Sequence, residues 1–274
     1  MRIVVTNDDG IDSVGLHRLA AAMLPFGEVI IVAPDSEYSG AGASVGALHL
    51  IRPDVHKVTS PVPGAEAWAV DGPPALCVMF ARLGVFGAVP DLVVSGINPG
   101  ANVGRAVYHS GTIGAALTAR SGRIHGIAIS QDVAGGGFDG QSMDEMLALQ
   151  KWDSAAAIAA EVVKGFLANP SEVPIVLNVN VPNLDLADIK GWRYTTVAAL
   201  PPRTMTSATL EPKDGHANAY RVHMHYGEAV TLPVESDGGA VAAGYVSICA
   251  LSKLHEEPLG AGLAAALDLS IPGL

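Results

Sequence analysis

A three-layer α/β/α fold on a doubly wound, mostly parallel sheet is the fold class this sequence predicts, and three observations predict it. Short, continuously apolar runs at Arg2–Thr6 (RIVVT), Glu28–Ala33 (EVIIVA) and Asp91–Ser95 (DLVVS) have the pattern of strands covered on both faces. Helical spacing lies between the first two, with Leu16, Leu19, Ala20 and Met23 recurring within Val14–Met23. Strand and helix then alternate through the first 130 residues, as right-handed crossovers between parallel strands require.

The elements follow in order. Arg2–Thr6 leads into the loop Asn7-Asp8-Asp9-Gly10, the helix Val14–Met23 stops before Gly27, and the second strand is closed by Pro34-Asp35. Ser39–Gly46 is a Gly/Ser-rich loop, and alternation around Ala47–Arg52 and Ala67–Val70 predicts a hairpin outside the parallel order. Pro73–Phe86 is a helix with proline at its start, Asp91–Ser95 a strand, Thr112–Ser121 a helix opened by Ser110-Gly111-Thr112, and Ile124–Ser130 a strand. Ala134–Gly140 (AGGGFDG) is a glycine-rich loop expected to be mobile and to flank the site, and Asp153–Leu167 is an Ala-rich helix. Pro174–Pro182 (PIVLNVNVP) is the strongest strand of the second half. Strand-like pieces at Trp192–Val197, Tyr220–Tyr226 and Tyr245–Leu251 predict a β-rich C-terminal extension, dividing a core over 1–182 from a subdomain over 183–274.

Composition narrows the partners. The 274 residues are 49% apolar and 16% charged, which is globular, and a net charge of −11 disfavours binding along a nucleic-acid duplex. A small anion needs local help in such a chain, from a metal ion or from backbone N–H groups. Cys77 and Cys249 lie far apart among apolar neighbours and read as buried reduced thiols. No run of about 18 apolar residues marks a membrane span and the N-terminus lacks a signal-peptide pattern, so a cytoplasmic location is expected.

In an open α/β sheet the ligand site lies beyond the C-terminal strand ends, so the residues following each strand carry the chemistry. They are Asn7, Asp8 and Asp9 after the first strand, Asp35 through Ser39 after the second, and Asn98 and Asn102 after DLVVS. Asp-Asp-Gly alone also reads as a turn, yet adjacent carboxylates repel unless a cation sits beside them. Oxygen ligands from Asp, Ser and Asn suit Mg²⁺, Mn²⁺ or Ca²⁺, and such an ion polarises a phosphoryl oxygen. Ser110-Gly111-Thr112 reads as a helix N-cap or as a phosphate site at a helix N-terminus. His109 beside it is a candidate near a leaving group, whereas the other histidines show no ligand pattern, and GxSxG, Walker A and HExxH motifs are absent.

Together, Val5–Ile11 (VTNDDGI), Val32–Gly40 (VAPDSEYSG), Asp91–Asn98 (DLVVSGIN), Gly100–Gly104 (GANVG), Ser110–Ala116 (SGTIGAA), Leu177–Pro182 (LNVNVP) and Gly244–Ser247 (GYVS) resemble the SurE survival-protein nucleotidases. The resemblance spans nearly the whole chain and lies in the joint order and spacing of the segments. It implies a Rossmann-like core, a phosphatase of nucleoside 5′- and 3′-monophosphates using one Mg²⁺ or Mn²⁺, and a homodimer or homotetramer built with the C-terminal extension. It further implies Asp8, Asp9, Ser39 and Asn98 as metal ligands, Asp8 and Asp9 as catalytic, and Asn102, Ser110, Gly111 and Thr112 as phosphate contacts. The attacking group stays open between a water activated at the ion and the Asp8 carboxylate. Leu76 stands where many relatives carry Asp, His109 where Tyr is frequent, and Ala198–Glu228 matches the family poorly. A phosphatase of another phosphorylated metabolite, or a non-catalytic nucleotide-binding protein on the same fold, are the rival readings.

Overall fold

The computed structural model describes residues 1–48, 50, 52–133, 143–200 and 202–251; Ala134–Gly140, His49 and His255 lie outside these. The core alternates β1 (Arg2–Thr6), α1 (Val14–Met23), β2 (Glu28–Pro34), β3 (Val55–Val58), β4 (Glu66–Val70), α2 (Pro74–Arg82), β5 (Leu92–Pro99), α3 (Gly111–Ser121) and β6 (His125–Gln131). It continues through α4 (Met143–Ala148), α5 (Trp152–Ala168), β7 (Val176–Val181), β8 (Trp192–Tyr194), β9 (Met205–Pro212), β10 (Tyr220–Tyr226), α6 (Asp237–Ala242) and β11 (Val246–Leu251).

Among the described residues the main sheet runs β3-β4-β2-β1-β5-β6-β7-β11-β8. The strands from β4 to β7 are all parallel, while β3 and β11 run antiparallel to β4 and β7. The apolar runs of β1 and β2 are buried on both faces with a period of two. Ile3, Val5 and Ile31 pack under Leu16 and Leu19 of α1 and Ala159 and Val163 of α5. Val4, Ile30 and Val32 pack under Leu76 and Val78 of α2 and Ala115 and Ala119 of α3. Each buried Leu, Ile or Val contributes roughly 1.5–3 kcal/mol, so these two layers hold the sheet between them.

The hairpin expectation needs correction. Ala47, Leu48, Leu50 and Arg52 form no strand; the antiparallel partner is β3, and β4 lies inside the parallel order beside β2. Ala67 and Ala69 are buried in the apolar layer under α1 and α5 and Val70 in the layer under α2 and α3, as suits a strand inside the sheet. Strand β9 carries no apolar run that would mark it in the sequence, since all eight of its residues are exposed on a two-stranded ribbon with β10. Beyond residue 182, β8 and β11 extend the main sheet, whereas β9 and β10 form the separate ribbon. Cys77 and Cys249 are buried free thiols. No helix among the described residues is long and apolar enough to cross a membrane.

Candidate active site

The strand order reverses between β1 and β5, whose neighbours lead away to β2 on one side and β6 on the other, and such a switch point opens a crevice beyond the strand ends. Asp8 lies two residues past β1 at this point, and Asn98 is the penultimate residue of β5. The β5–β6 register shifts between Ser95 and Asn98. Gly96 within that shift has φ +131° and its Cα faces the Ile129 carbonyl so closely that a Cβ would lie 2.2 Å from the oxygen, so only glycine fits. Asn98 Nδ2 donates to the Gly100 carbonyl at 2.7 Å, leaving Oδ1 as its acceptor end.

Helix α3 delivers its N-terminus to Asp8. Ser110 caps it, accepting from the Ile113 N–H at 3.1 Å, and Thr112 Oγ1 donates to Asp8 Oδ1 at 2.5 Å. A Cβ on Gly111 would lie 2.8 Å from both Asp8 Cβ and Oδ2, so the helix reaches the carboxylate only because residue 111 lacks a side chain. Burial raises the Asp8 carboxyl, against which the Thr112 hydroxyl and the Thr112 and Gly111 N–H groups favour its charged form. Asp9 is pushed up from 3.8 to about 7, chiefly by burial and then by the charges of Asp8 and Glu37.

A folded-state carboxyl above its unfolded value keeps its proton more tightly in the native chain. The stability this provides is full below about pH 4 and is lost as pH rises to about 7. The metal-free protein is expected to lose a few kcal/mol from this position across that window, at roughly 1.4 kcal/mol per pH unit. Asp9→Asn cannot ionise and should therefore gain in melting temperature over wild type more at pH 8 than at pH 5. Equal differences at the two pH values would refute the assignment.

Asp8, Ser39, Asn98, Asn102 and Ser110 share one cleft of about 590 Å³ with His109, Arg105, Arg203 and Tyr226. Asp9, Gly111 and Thr112 do not line it; Thr112 is fully buried beneath Asp8. Ser39 and His109 are exposed at its margin, while Leu76 is buried in the apolar layer under α2, so the departure there does not reach the cleft. Asn102 is held on every side. Its N–H donates to Asn180 Oδ1 at 2.7 Å, its carbonyl accepts from Asn178 and Asn180, and its amide donates to Ser130 Oγ at 2.8 Å. Asn178 and Asn180 lie two apart on β7 and so share one face, which gives the LNVNVP segment its physical role. Buried Asp237 accepts from the N–H groups of Gly104 and Ala198, joining the loop after Asn102 to the segment that leads into the outer cleft wall. Residue-type reasoning singled out neither Asp237 nor Arg105, Arg203 and Tyr226; a charged residue directly after the N-cap Ser236 was the one available signal for the first.

A divalent ion fits these donors. Asp9 Oδ2 and Asn7 Oδ1 are buried without a hydrogen-bond partner among the described residues, and the nearby Ser39, Asn98 and Asp8 offer further hard oxygens. Among the described residues no cluster of three or more His, Cys, Asp or Glu could hold a metal, so an ion here would draw on two carboxylates together with amide and hydroxyl oxygens.

The profile of the family described as "Survival protein SurE" matches residues 3–201. The 5′-nucleotidase SurE of Dehalococcoides mccartyi (strain CBDB1) is 37% identical over 260 residues, covering 94% of this chain and 92% of that protein. The 5′/3′-nucleotidase SurE of Erwinia tasmaniensis is 34% identical over 251 residues, covering 92% and 90%. The crystal structure of the SurE protein from Aquifex aeolicus superposes with a TM-score of 0.73 at 27% identity, covering 98% of this chain and 99% of that one. The matched span includes every strand-end residue of the cleft, and the chain belongs to the survival protein SurE family.

Proposed function

We propose that the chain is a divalent-metal-dependent phosphomonoesterase that hydrolyses nucleoside 5′-monophosphates, and 3′-monophosphates as well. The observation that carries this reading is the buried Asp8 carboxylate, held by Thr112 and the α3 N-terminus at the floor of a cleft large enough for a nucleotide. The names of the relatives, 5′-nucleotidase and 5′/3′-nucleotidase, support the substrate class.

Asp8, Asp9, Ser39 and Asn98 would hold the ion. When bound, such an ion supplies Lewis-acid polarisation of a phosphoryl oxygen. The chain's own groups orient and stabilise. Thr112 fixes the Asp8 carboxylate in one rotamer by its hydroxyl, and the α3 N-terminus places partial positive charge where phosphoryl oxygens gather. Asn102, immobilised by Asn178, Asn180 and Ser130, keeps the loop at a fixed distance from Asp8, which is the positioning that phosphoryl transfer depends on. His109, exposed on the cleft wall, is the candidate proton donor to the departing ribose oxygen.

Phosphate release from AMP, GMP and a panel of sugar phosphates, with Mg²⁺ or Mn²⁺ and with a chelator, tests the proposal. Chelation is expected to lower the nucleotide rate about 10²-fold or more, with recovery on adding metal back. A rate indifferent to chelation would remove the metal, and turnover confined to sugar phosphates would remove the nucleotide.

A further inference from the structure

We propose that Tyr226 and Arg203 form the nucleobase-recognition wall of the cleft, with the Tyr226 ring as stacking platform and the Arg203 guanidinium clamped beside it. The inference rests on the nucleotide reading above. The strand-end residues account for phosphate and metal, yet the cleft of about 590 Å³ is far larger than a phosphate group. Its remaining lining comes from the segment before β9 and from the end of β10.

Three features build the wall. The β9–β10 register shifts between His225 and Tyr226, so that Tyr226 pairs with Met205 and both line the cleft. Such a bulge re-aims a side chain, and it falls where, among the described residues, the ribbon meets the site. Second, Arg203 Nε donates to the carbonyl of Gly227, next to Tyr226, at 3.0 Å, and Gly227 in turn donates to the Thr204 carbonyl at 2.9 Å. These bonds fix the guanidinium 5.9 Å from the Tyr226 ring centre. Third, Tyr226 is half exposed, presenting an aromatic surface that in a chain of net charge −11 sits beside a cation. A base has a flat π-face and polar edges; an aromatic ring takes the face and a guanidinium fork takes an edge.

The test compares AMP with ribose 5-phosphate, which has the same phosphate and sugar but no aromatic ring, in Tyr226→Ala, Tyr226→Phe and Arg203→Ala. Tyr226→Ala and Arg203→Ala are each expected to raise KM for AMP about tenfold, with a far smaller change in kcat. The ratio of kcat/KM for AMP over ribose 5-phosphate should fall about tenfold, and Tyr226→Phe, which keeps the ring, should recover most of it. Equal losses on both substrates would make the pair a phosphate clamp or a structural prop, and no loss would make it a bystander; either overturns the proposal. Should wild type not turn over AMP at all, the nucleotidase reading fails by itself. Titration of AMP against inorganic phosphate then decides the wall: it stands if the two alanine variants weaken AMP binding selectively, and falls if wild type shows no preference for AMP.

Discussion

Asp8→Asn is expected to lower kcat for a nucleoside monophosphate about 10³-fold or more, equivalent to about 4 kcal/mol of transition-state stabilisation. The substitution conserves shape and keeps an oxygen for the Thr112 hydroxyl, but it removes the negative charge. That charge is what a divalent ion would be anchored by, and what the α3 N-terminus faces. Little stability should go with it. Burial already opposes ionisation of Asp8, so a neutral amide relieves a desolvation cost, and the melting temperature should stay within a few degrees of wild type. Initial rates at saturating Mg²⁺ and Mn²⁺, alongside a thermal melt, check both halves. A variant retaining more than a tenth of the wild-type kcat would show that Asp8 is neither anchor nor nucleophile.

Gly111→Ala should have the second-largest effect, on activity and stability together. The new methyl would stand 2.8 Å from Asp8 Cβ and Oδ2, closer than carbon atoms tolerate, and both positions are held by backbone. One sits in the first turn of α3 and the other follows a central strand, so the helix N-terminus must retreat from the carboxylate. Overpacking of this kind costs about 1–3 kcal/mol. Displacing a positioning contact by about 1 Å is expected to lower kcat about 10²-fold. Gly165→Ala in α5 is the control: a Cβ there meets nothing within 4 Å, and exchanging glycine for alanine within a helix should stabilise by roughly 0.5–1 kcal/mol. Unchanged turnover in Gly111→Ala would show that the approach of α3 to Asp8 does not govern the reaction.

The strands legible in the sequence were those buried on both faces. RIVVT, EVIIVA and DLVVS are continuous apolar runs because helices cover them above and below, and the strands came out within a residue or two of their positions except at the C-terminal end of DLVVS. That strand runs on to Pro99, because Gly96 and the register shift carry it past the polar residues that a pattern search treats as a loop. The Ala47–Arg52 expectation failed for the opposite reason. Ala47, Leu48, Leu50 and Arg52 lie in no strand, and alternation outside a sheet looks the same in sequence as alternation in a half-buried strand; only the presence of a partner strand separates them. Ribbon β9–β10 illustrates the limit further: Tyr220, Val222 and Met224 alternate with Arg221, His223 and His225, but no core lies behind either face to give β9 an apolar signature.

The polar strand-end residues were legible one by one, because each follows a recognisable strand and the parallel order sends all such ends to one edge. What the sequence by itself determined is therefore the α/β class, the buried strands and the gathering of Asp8, Ser39, Asn98 and Asn102 about one crevice, with Ser110 legible only as part of a helix N-terminus. Tertiary structure alone decided how those residues are held and what faces them. Asn178 and Asn180 reach Asn102 across 76 and 78 residues, Asp237 reaches Gly104 across 133, and Thr112 reaches Asp8 across 104. Local periodicity carries information over a few turns of chain; contacts at these separations are selected by the packing of whole layers, and they leave no spacing in the sequence to read.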